Sequence, residues 1–214
     1  MPSCLARCQN RPERLTDLTQ RHLQRRLQGM NRTLQSLRPE EDGHWVFGYG
    51  SLIYKVDFPY RQREVASIVG WERRFWQGSH DHRGTPEAPG RVLTLVPSPN
   101  QVCMGMAYLV DHDVFEHLDH REKNGYERRE IEIRLFDSGA RVDGLTYFAG
   151  RDNPAWLGPA EIPGIARHIN RSHGPSGSNR DYLLDLAGAL RELGADDPHV
   201  FELERALLRQ QDGS

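Results

Sequence analysis

The sequence predicts an α+β fold, with a largely antiparallel sheet, open or rolled toward a barrel, and helices packed against it. Two observations carry this. Between Trp45 and Phe148 most segments have the β-branched and aromatic make-up of strands, set between turn signals. From Pro159 onward every periodic segment has helical spacing. Strands gathered first and helices last mark α+β packing, because parallel α/β folds interleave the two.

The elements follow in order. Trp45-Val46-Phe47-Gly48-Tyr49-Gly50 is a short strand entering a glycine-punctuated loop, and Glu64 to Trp71, Arg91 to Val96 and Val102 to Val110 are further strands. Asp111 is placed as the N-cap of a short helix that buries Val114, Phe115 and Leu118 and stops near Lys123, before Asn124-Gly125. Tyr126 to Phe136 alternates Ile131, Ile133 and Leu135 with Glu and Arg, as a half-buried strand does, and Arg141 to Phe148 is the last strand. Helices are predicted over Pro159 to Ser172, Asn179 to Leu193 and Pro198 to Arg209. Before the domain, apolar residues at Leu15, Leu18, Leu23, Leu27, Met30, Leu34 and Leu37 predict amphipathic helix, ended by the Arg38 to Gly43 linker. The expected organisation is a helical arm and linker over 1–43, a single domain over 44–210 and a tail over 211–214.

Composition narrows the function classes. A chain of 214 residues holds one well-cored domain. A net charge of −2 argues against nucleic acid or an anionic membrane as the main partner. No apolar run approaches the roughly 20 residues that span a bilayer, and the Arg-rich start lacks the apolar stretch of a signal peptide. Three cysteines, Cys4, Cys8 and Cys103, make no disulfide framework, so a reducing, cytoplasmic setting is expected. Cys4, Cys8 and His22 lack a fourth ligand at metal-site spacing. Cys103 reads as a buried strand residue.

Three stretches carry candidate chemistry. Phe47 to Leu52 ends a strand with two glycines one residue apart, which lets a ligand approach the backbone N–H groups. An ordinary tight turn fits the spacing equally well, and a dinucleotide fingerprint is excluded because the third glycine and following helix are missing. In Leu118 to Tyr126, Glu122 falls at the C-terminal end of the predicted helix, where the dipole disfavours a carboxylate and raises its pKa. That suits a base near neutrality, although residue spacing alone favours a surface Glu paired with Arg121 or Lys123. In Arg73 to Gly84, His80 and His82 share a face and could co-ligate a metal, but Asp81 points away. A structured, partly polar loop around a pocket fits that stretch better.

Taken together these segments resemble the ChaC-type γ-glutamylcyclotransferases. The matching blocks are Phe47-Gly48-Tyr49-Gly50-Ser51-Leu52-Ile53 with Val56-Asp57-Phe58, Arg73 to Gly78, His82 to Gly84, Pro89 to Val92, Arg121 to Tyr126, Trp156 to Ala160 and Gly174 to Asn179. They run in order from about Trp45 to Leu193. Trp156 stands where the family usually has tyrosine, and the arm before His44 has no counterpart in the shortest members.

The resemblance implies a mixed, partly closed β-barrel with flanking helices, no metal or organic cofactor, and glutathione as substrate. It implies that Gly48, Tyr49, Gly50, Ser51 and Leu52, with Ile53 at the edge, hold the γ-glutamyl group, and that Glu122 is the acid/base. Arg91 is added as a candidate partner for a glutathione carboxylate, and the helical arm as a candidate protein-contact surface. The implied reaction is intramolecular aminolysis to 5-oxoproline and cysteinylglycine. A cyclotransferase for another γ-glutamyl amine or peptide, and a non-catalytic regulator of a cation transporter, are the competing expectations.

Overall fold

A computed structural model describes residues 43–121 and 125–210. The predicted arm helix, Cys4, Cys8, the tail 211–214 and Glu122 lie outside the described residues. The strands are β1 (His44–Gly48), β2 (Gln62–Ser79), β3 (Gly90–Val110), β4 (Glu127–Leu135) and β5 (Arg141–Phe148), with a two-residue hairpin of β6 (His173–Gly174) and β7 (Gly177–Ser178). The helices are α1 (Val114–Arg121), α2 (Ile162–Arg171), α3 (Asn179–Glu192) and α4 (Pro198–Arg209), and a 3-10 turn spans Ser51–Ile53.

The five long strands close a barrel in the order β1-β3-β2-β4-β5. Every neighbour is antiparallel except β1 and β5, whose parallel seam pairs Trp45 with Gly144 and Val46 with Leu145. The barrel is therefore mixed, as expected, and a short seam completes the closure. A side chain at Gly144 would bring its Cβ to 2.8 Å from the Trp45 carbonyl oxygen, so glycine lets the seam form.

The strands expected over Arg91 to Val96 and Val102 to Val110 are one strand, β3. Its register against β2 breaks where the sequence suggested a division, Val69 pairing with Val102 and Trp71 with Pro97. Residues 98–101 oppose Gly70 alone, a large bulge whose Pro99 and Asn100 read as a turn signal. The segment Arg73 to Gly78, expected as loop, belongs to β2. Its alternation is real but hidden, because Arg73, Phe75 and Gln77 all point inward and two of them are polar.

A second bulge has greater consequences. Arg74 pairs with Thr94 and Gln77 with Val92, so Phe75 and Trp76 together oppose Leu93. Backbone groups displaced from the ladder need other partners. The Phe75 N–H donates to His199 Nε2 (3.1 Å) and the Phe75 carbonyl accepts from Arg91 Nη1 (2.9 Å). The Trp76 carbonyl accepts from the N–H groups of Leu157 (2.8 Å) and Gly158 (3.0 Å).

The helices cover the barrel by amphipathic spacing. Ile165, Ala166 and Ile169 of α2, Leu183, Leu186 and Leu190 of α3, and Val200, Leu203 and Leu207 of α4 are buried in one core with Phe47, Ile68, Phe75, Leu95 and Ile133. Each such aliphatic side chain contributes about 1.5–3 kcal/mol by leaving water. Caps set the helix starts: Ser178 Oγ accepts from Asp181 N–H (2.9 Å) for α3, and Asp197 Oδ1 accepts from Val200 N–H (3.1 Å) for α4. Helix α1 begins at Val114, two residues later than an Asp111 N-cap predicts. Asp111 contributes its carbonyl to the Val114 N–H and pairs its carboxylate with Arg61. The α1 face packs Val114, Phe115 and Leu118 into a second cluster with Phe58, Tyr108 and Tyr147.

Burial, with help from the charges of Arg74 and Arg91, holds His199 neutral and pushes its pKa down to about 3. Its unfolded value is near 6.5, so as pH falls the unfolded chain protonates first. The stability associated with neutral His199 is complete above about pH 6.5 and is lost as pH falls toward 3. Between pH 7 and pH 5 this amounts to about 2 kcal/mol. In His199→Gln an amide oxygen can still accept from Phe75 without titrating. Urea midpoints at pH 7 and pH 5 should fall less for the variant than for the wild type; equal losses would show that His199 is not the source.

Candidate active site

One end of the barrel opens into a cleft of about 290 Å³. Its first wall is the loop after β1. Gly48 must lack a side chain, because a Cβ there would stand 2.6 Å from Leu52 Cβ and push the 3-10 turn away. Gly50 faces Tyr182, whose Oη would be 3.2 Å from a Cβ at that position. The turn is closed by Ile53 N–H to the Gly50 carbonyl (3.0 Å) and Lys55 N–H to the Ser51 carbonyl (2.7 Å). The N–H groups of Ser51 and Leu52 thus precede its first internal bond. Two outside contacts fix the loop: Tyr108 Oη donates to the Leu52 carbonyl (2.6 Å), and Arg73 Nη1 donates to the Tyr49 carbonyl (3.0 Å).

The opposite wall comes from the 80–89 connection and the β6–β7 hairpin. Ser79 Oγ accepts from the N–H groups of His82 (3.3 Å) and Arg83 (3.0 Å). His82 Nδ1 lies 3.0 Å from Ser176 Oγ, and the Ser176 N–H donates to the His82 carbonyl (2.9 Å). Gly174 packs so closely that a Cβ would come within 2.5 Å of the Gly84 nitrogen. Asn179, fully buried, grips Arg91 as a strand neighbour would, accepting from its N–H (2.6 Å) and donating to its carbonyl (2.7 Å). Three sequence blocks far apart in the chain, at 82–84, 89–92 and 174–179, therefore interlock to make this wall.

Tyrosines bridge the two sides. Tyr126 Oη donates to the carbonyl of Leu93 (2.7 Å), the residue opposite the Phe75–Trp76 bulge, and Tyr147 Oη donates to Asp119 Oδ1 (2.7 Å). Tyr182 sits between the glycine loop and Arg83, whose guanidinium lies 5.3 Å from its ring centre. All three line the cleft.

Of the residues singled out from sequence, Gly48, Tyr49, Gly50, Ser51 and Leu52 line the cleft, while Ile53 packs against the hydrophobic clusters at its edge. Arg91 is placed differently. Its side chain is buried, and Nη1 is committed to the carbonyls of Phe75 and Gly158, both at 2.9 Å. Its Nη1 serves the β2 bulge, and Arg91 is not among the residues that line the cleft. His82 faces Ser176 and Asp81 rather than acting with His80 as a ligand pair, and among the described residues no group of three or more His, Cys, Asp or Glu could hold a metal ion. Cys103 is buried on β3 beside Arg73 Nη2, and burial pushes its thiol pKa up despite that neighbour. Sequence reasoning passed over Ser79, Arg83, Tyr126, Tyr147, Ser176 and Tyr182. For Arg83, Tyr126 and Ser176 the signal was membership of a resemblance block without assignable chemistry; Ser79, Tyr147 and Tyr182 gave no signal beyond their elements.

Comparison with known proteins agrees with this architecture. The sequence model of the family described as ChaC-like protein matches residues 44–210. The chain is 45% identical over 171 residues to γ-glutamylcyclotransferase 2-3 of Arabidopsis thaliana, covering 74% of this chain and 85% of that protein. It is 42% identical over 175 residues to glutathione-specific γ-glutamylcyclotransferase 1 of Danio rerio, covering 77% and 88%. The crystal structure of a γ-glutamyl cyclotransferase specific to glutathione from yeast superimposes with a TM-score of 0.73 at 34% identity, over 78% of this chain and 96% of that one. On the family match and these relatives, the chain belongs to the ChaC-like family.

Proposed function

We propose that this chain is a glutathione-specific γ-glutamylcyclotransferase that converts glutathione to 5-oxoproline and cysteinylglycine. The observation that carries this reading is the glycine loop, Gly48 to Leu52, which opens onto the cleft in a chain whose relatives are named for that activity. Those names favour neither another γ-glutamyl substrate nor a transporter regulator. The catalytic unit is residues 44–210, with 1–43 as an added arm. The setting is the cytoplasm, in keeping with a buried free Cys103 and with no helix among the described residues long and apolar enough to cross a membrane.

The chemistry is ring closure. The α-amine of the γ-glutamyl group attacks its own γ-carbonyl, forming the lactam C–N bond, and the bond to the cysteinyl nitrogen breaks. The amine is mostly protonated at neutral pH, so a base takes a proton before attack. The same group returns a proton to the departing nitrogen. Glu122 fills both roles in this proposal, supported by its match to the family's Arg-Glu block and by Tyr126, four residues on, lining the cleft. Backbone N–H groups of the Gly50 to Leu52 loop take the α-carboxylate or the developing oxyanion. Since nucleophile and electrophile are one molecule, most of the rate comes from holding them together, which suits a loop pinned by Arg73 and Tyr108.

Glu122→Gln keeps the side chain's shape and removes its titratable group. Turnover should fall by at least about 100-fold while the circular dichroism spectrum is retained. More than a tenth of wild-type activity in the folded variant would exclude Glu122 as the base.

N-acetyl-glutathione keeps the scissile bond, thiol and both carboxylates but blocks the attacking nitrogen, so it should be inert. Mass spectrometry of the products from glutathione should show 5-oxoproline. Free glutamate, or turnover of the acetylated substrate, would mean that water is the nucleophile.

A further inference from the structure

The cleft wall holds a cation without an acidic partner among the described residues. Arg83 is fixed at three points: its N–H donates to Ser79 Oγ (3.0 Å), Nη1 donates to the Ser178 carbonyl (3.0 Å), and its guanidinium lies over the Tyr182 ring at 5.3 Å. Among the described residues it forms no ion pair. This sets it apart from Arg61, Arg73 and Arg191, which pair with Asp111, Asp197 and Glu204. A half-buried guanidinium held in one orientation, with no counter-ion among the described residues, is an open site for an anion. Its planar fork matches a carboxylate.

Tyr182 indicates which carboxylate. Its phenol oxygen abuts Gly50 and its ring face supports Arg83, so one side chain separates the glycine loop from the cation. A ligand whose γ-glutamyl end rests on the loop must run past Tyr182 before it meets Arg83. In glutathione, the anionic group lying beyond the scissile bond is the glycyl carboxylate. Of the other basic residues lining the cleft, His82 faces Ser176 and Asp81, and Lys55 belongs to the loop itself, its N–H closing the turn on Ser51. Resting on the glutathione reading above, the geometry points to Arg83 as the residue that binds the glycyl carboxylate, and so selects the tripeptide over γ-glutamyl compounds that lack it.

The test compares glutathione with its C-terminal glycyl amide, which differs only in the charge that Arg83 would meet. Wild-type enzyme should show a kcat/KM at least about tenfold lower for the amide, the usual scale for losing a charge-assisted hydrogen bond. Arg83→Gln should lose about the same factor on glutathione, carried by KM, and bring the acid-to-amide ratio close to one. Arg83→Lys, which keeps the charge, should retain part of the preference. Equal handling of acid and amide by a wild type that makes 5-oxoproline would overturn this assignment and leave the proposed function standing. An unchanged acid-to-amide ratio in folded Arg83→Gln would also overturn it, as would loss of the preference in Lys55→Gln instead. If Arg83→Gln does not fold, the wild-type comparison and Arg83→Lys decide the question. No 5-oxoproline from glutathione with the wild type would remove both readings.

Discussion

A guanidinium sealed inside a protein must be bonded on every side, and Arg73, 1% exposed, imposes that demand on the barrel. It reaches three separate parts of the chain. Nη1 donates to the Tyr49 carbonyl of the glycine loop, Nη2 contacts Cys103 Sγ and the Met104 carbonyl on β3, and Nε pairs with Asp197 Oδ2 at 2.9 Å. Asp197 is also the N-cap of α4, so one ion pair ties barrel interior, glycine loop and helix start together. Burial pushes the Asp197 carboxyl up while Arg73 pulls it down, as expected of a pair held out of water. Removing one partner from such a pair leaves an uncompensated buried charge and costs about 3–5 kcal/mol. The loop's position thus depends on Arg73, 24 residues away in sequence, and through it on Asp197, a further 124 residues along the chain.

The β2 bulge is the second constraint, and it explains where the polar side chains went. A two-for-one mismatch at Phe75 and Trp76 bends β2 beside the cleft and turns three backbone groups to partners outside the ladder, with four hydrogen bonds among them. His199, Arg91 and the 157–158 backbone are those partners. The Arg91 side chain answers a backbone carbonyl, and His199 must stay neutral because an imidazole nitrogen that accepts a hydrogen bond cannot also carry a proton. Leu93, opposite the bulge, gives its carbonyl to Tyr126. The distortion of the barrel and the placing of a cleft tyrosine are one event.

Rigidity of this kind suits the proposed chemistry. An intramolecular aminolysis requires no second reactant to be captured, so the protein's task is to hold one flexible substrate in a reactive conformation. A loop bonded to Arg73 and Tyr108, and a facing wall locked by Asn179 and the Gly174 approach, are prepared before any ligand arrives. Sites built on supported backbone lose little on binding, since the ordering cost is met during folding.

Much of this was legible in the residues. Alternation in β4 and β5, the helical spacing of α2 to α4 and the glycine pair of the β1 loop are local properties. Arg141–Phe148 and Pro198–Arg209 agree with expectation to the residue. The β2 segment over Arg73 to Gly78 was hidden because its inward positions hold Arg and Gln, which a hydrophobic pattern counts as outward. Arg83 and Tyr182 gave no sign of acting together, being about a hundred residues apart. Sequence alone determined the element types, the family and the loop that carries the glycines, because each rests on short-range periodicity or on motif wording. Tertiary structure alone decided which arginine is buried, which answers a bulge and which is left facing the cleft. A guanidinium's role depends on the acceptors around it, and folding brings those acceptors from distant parts of the chain.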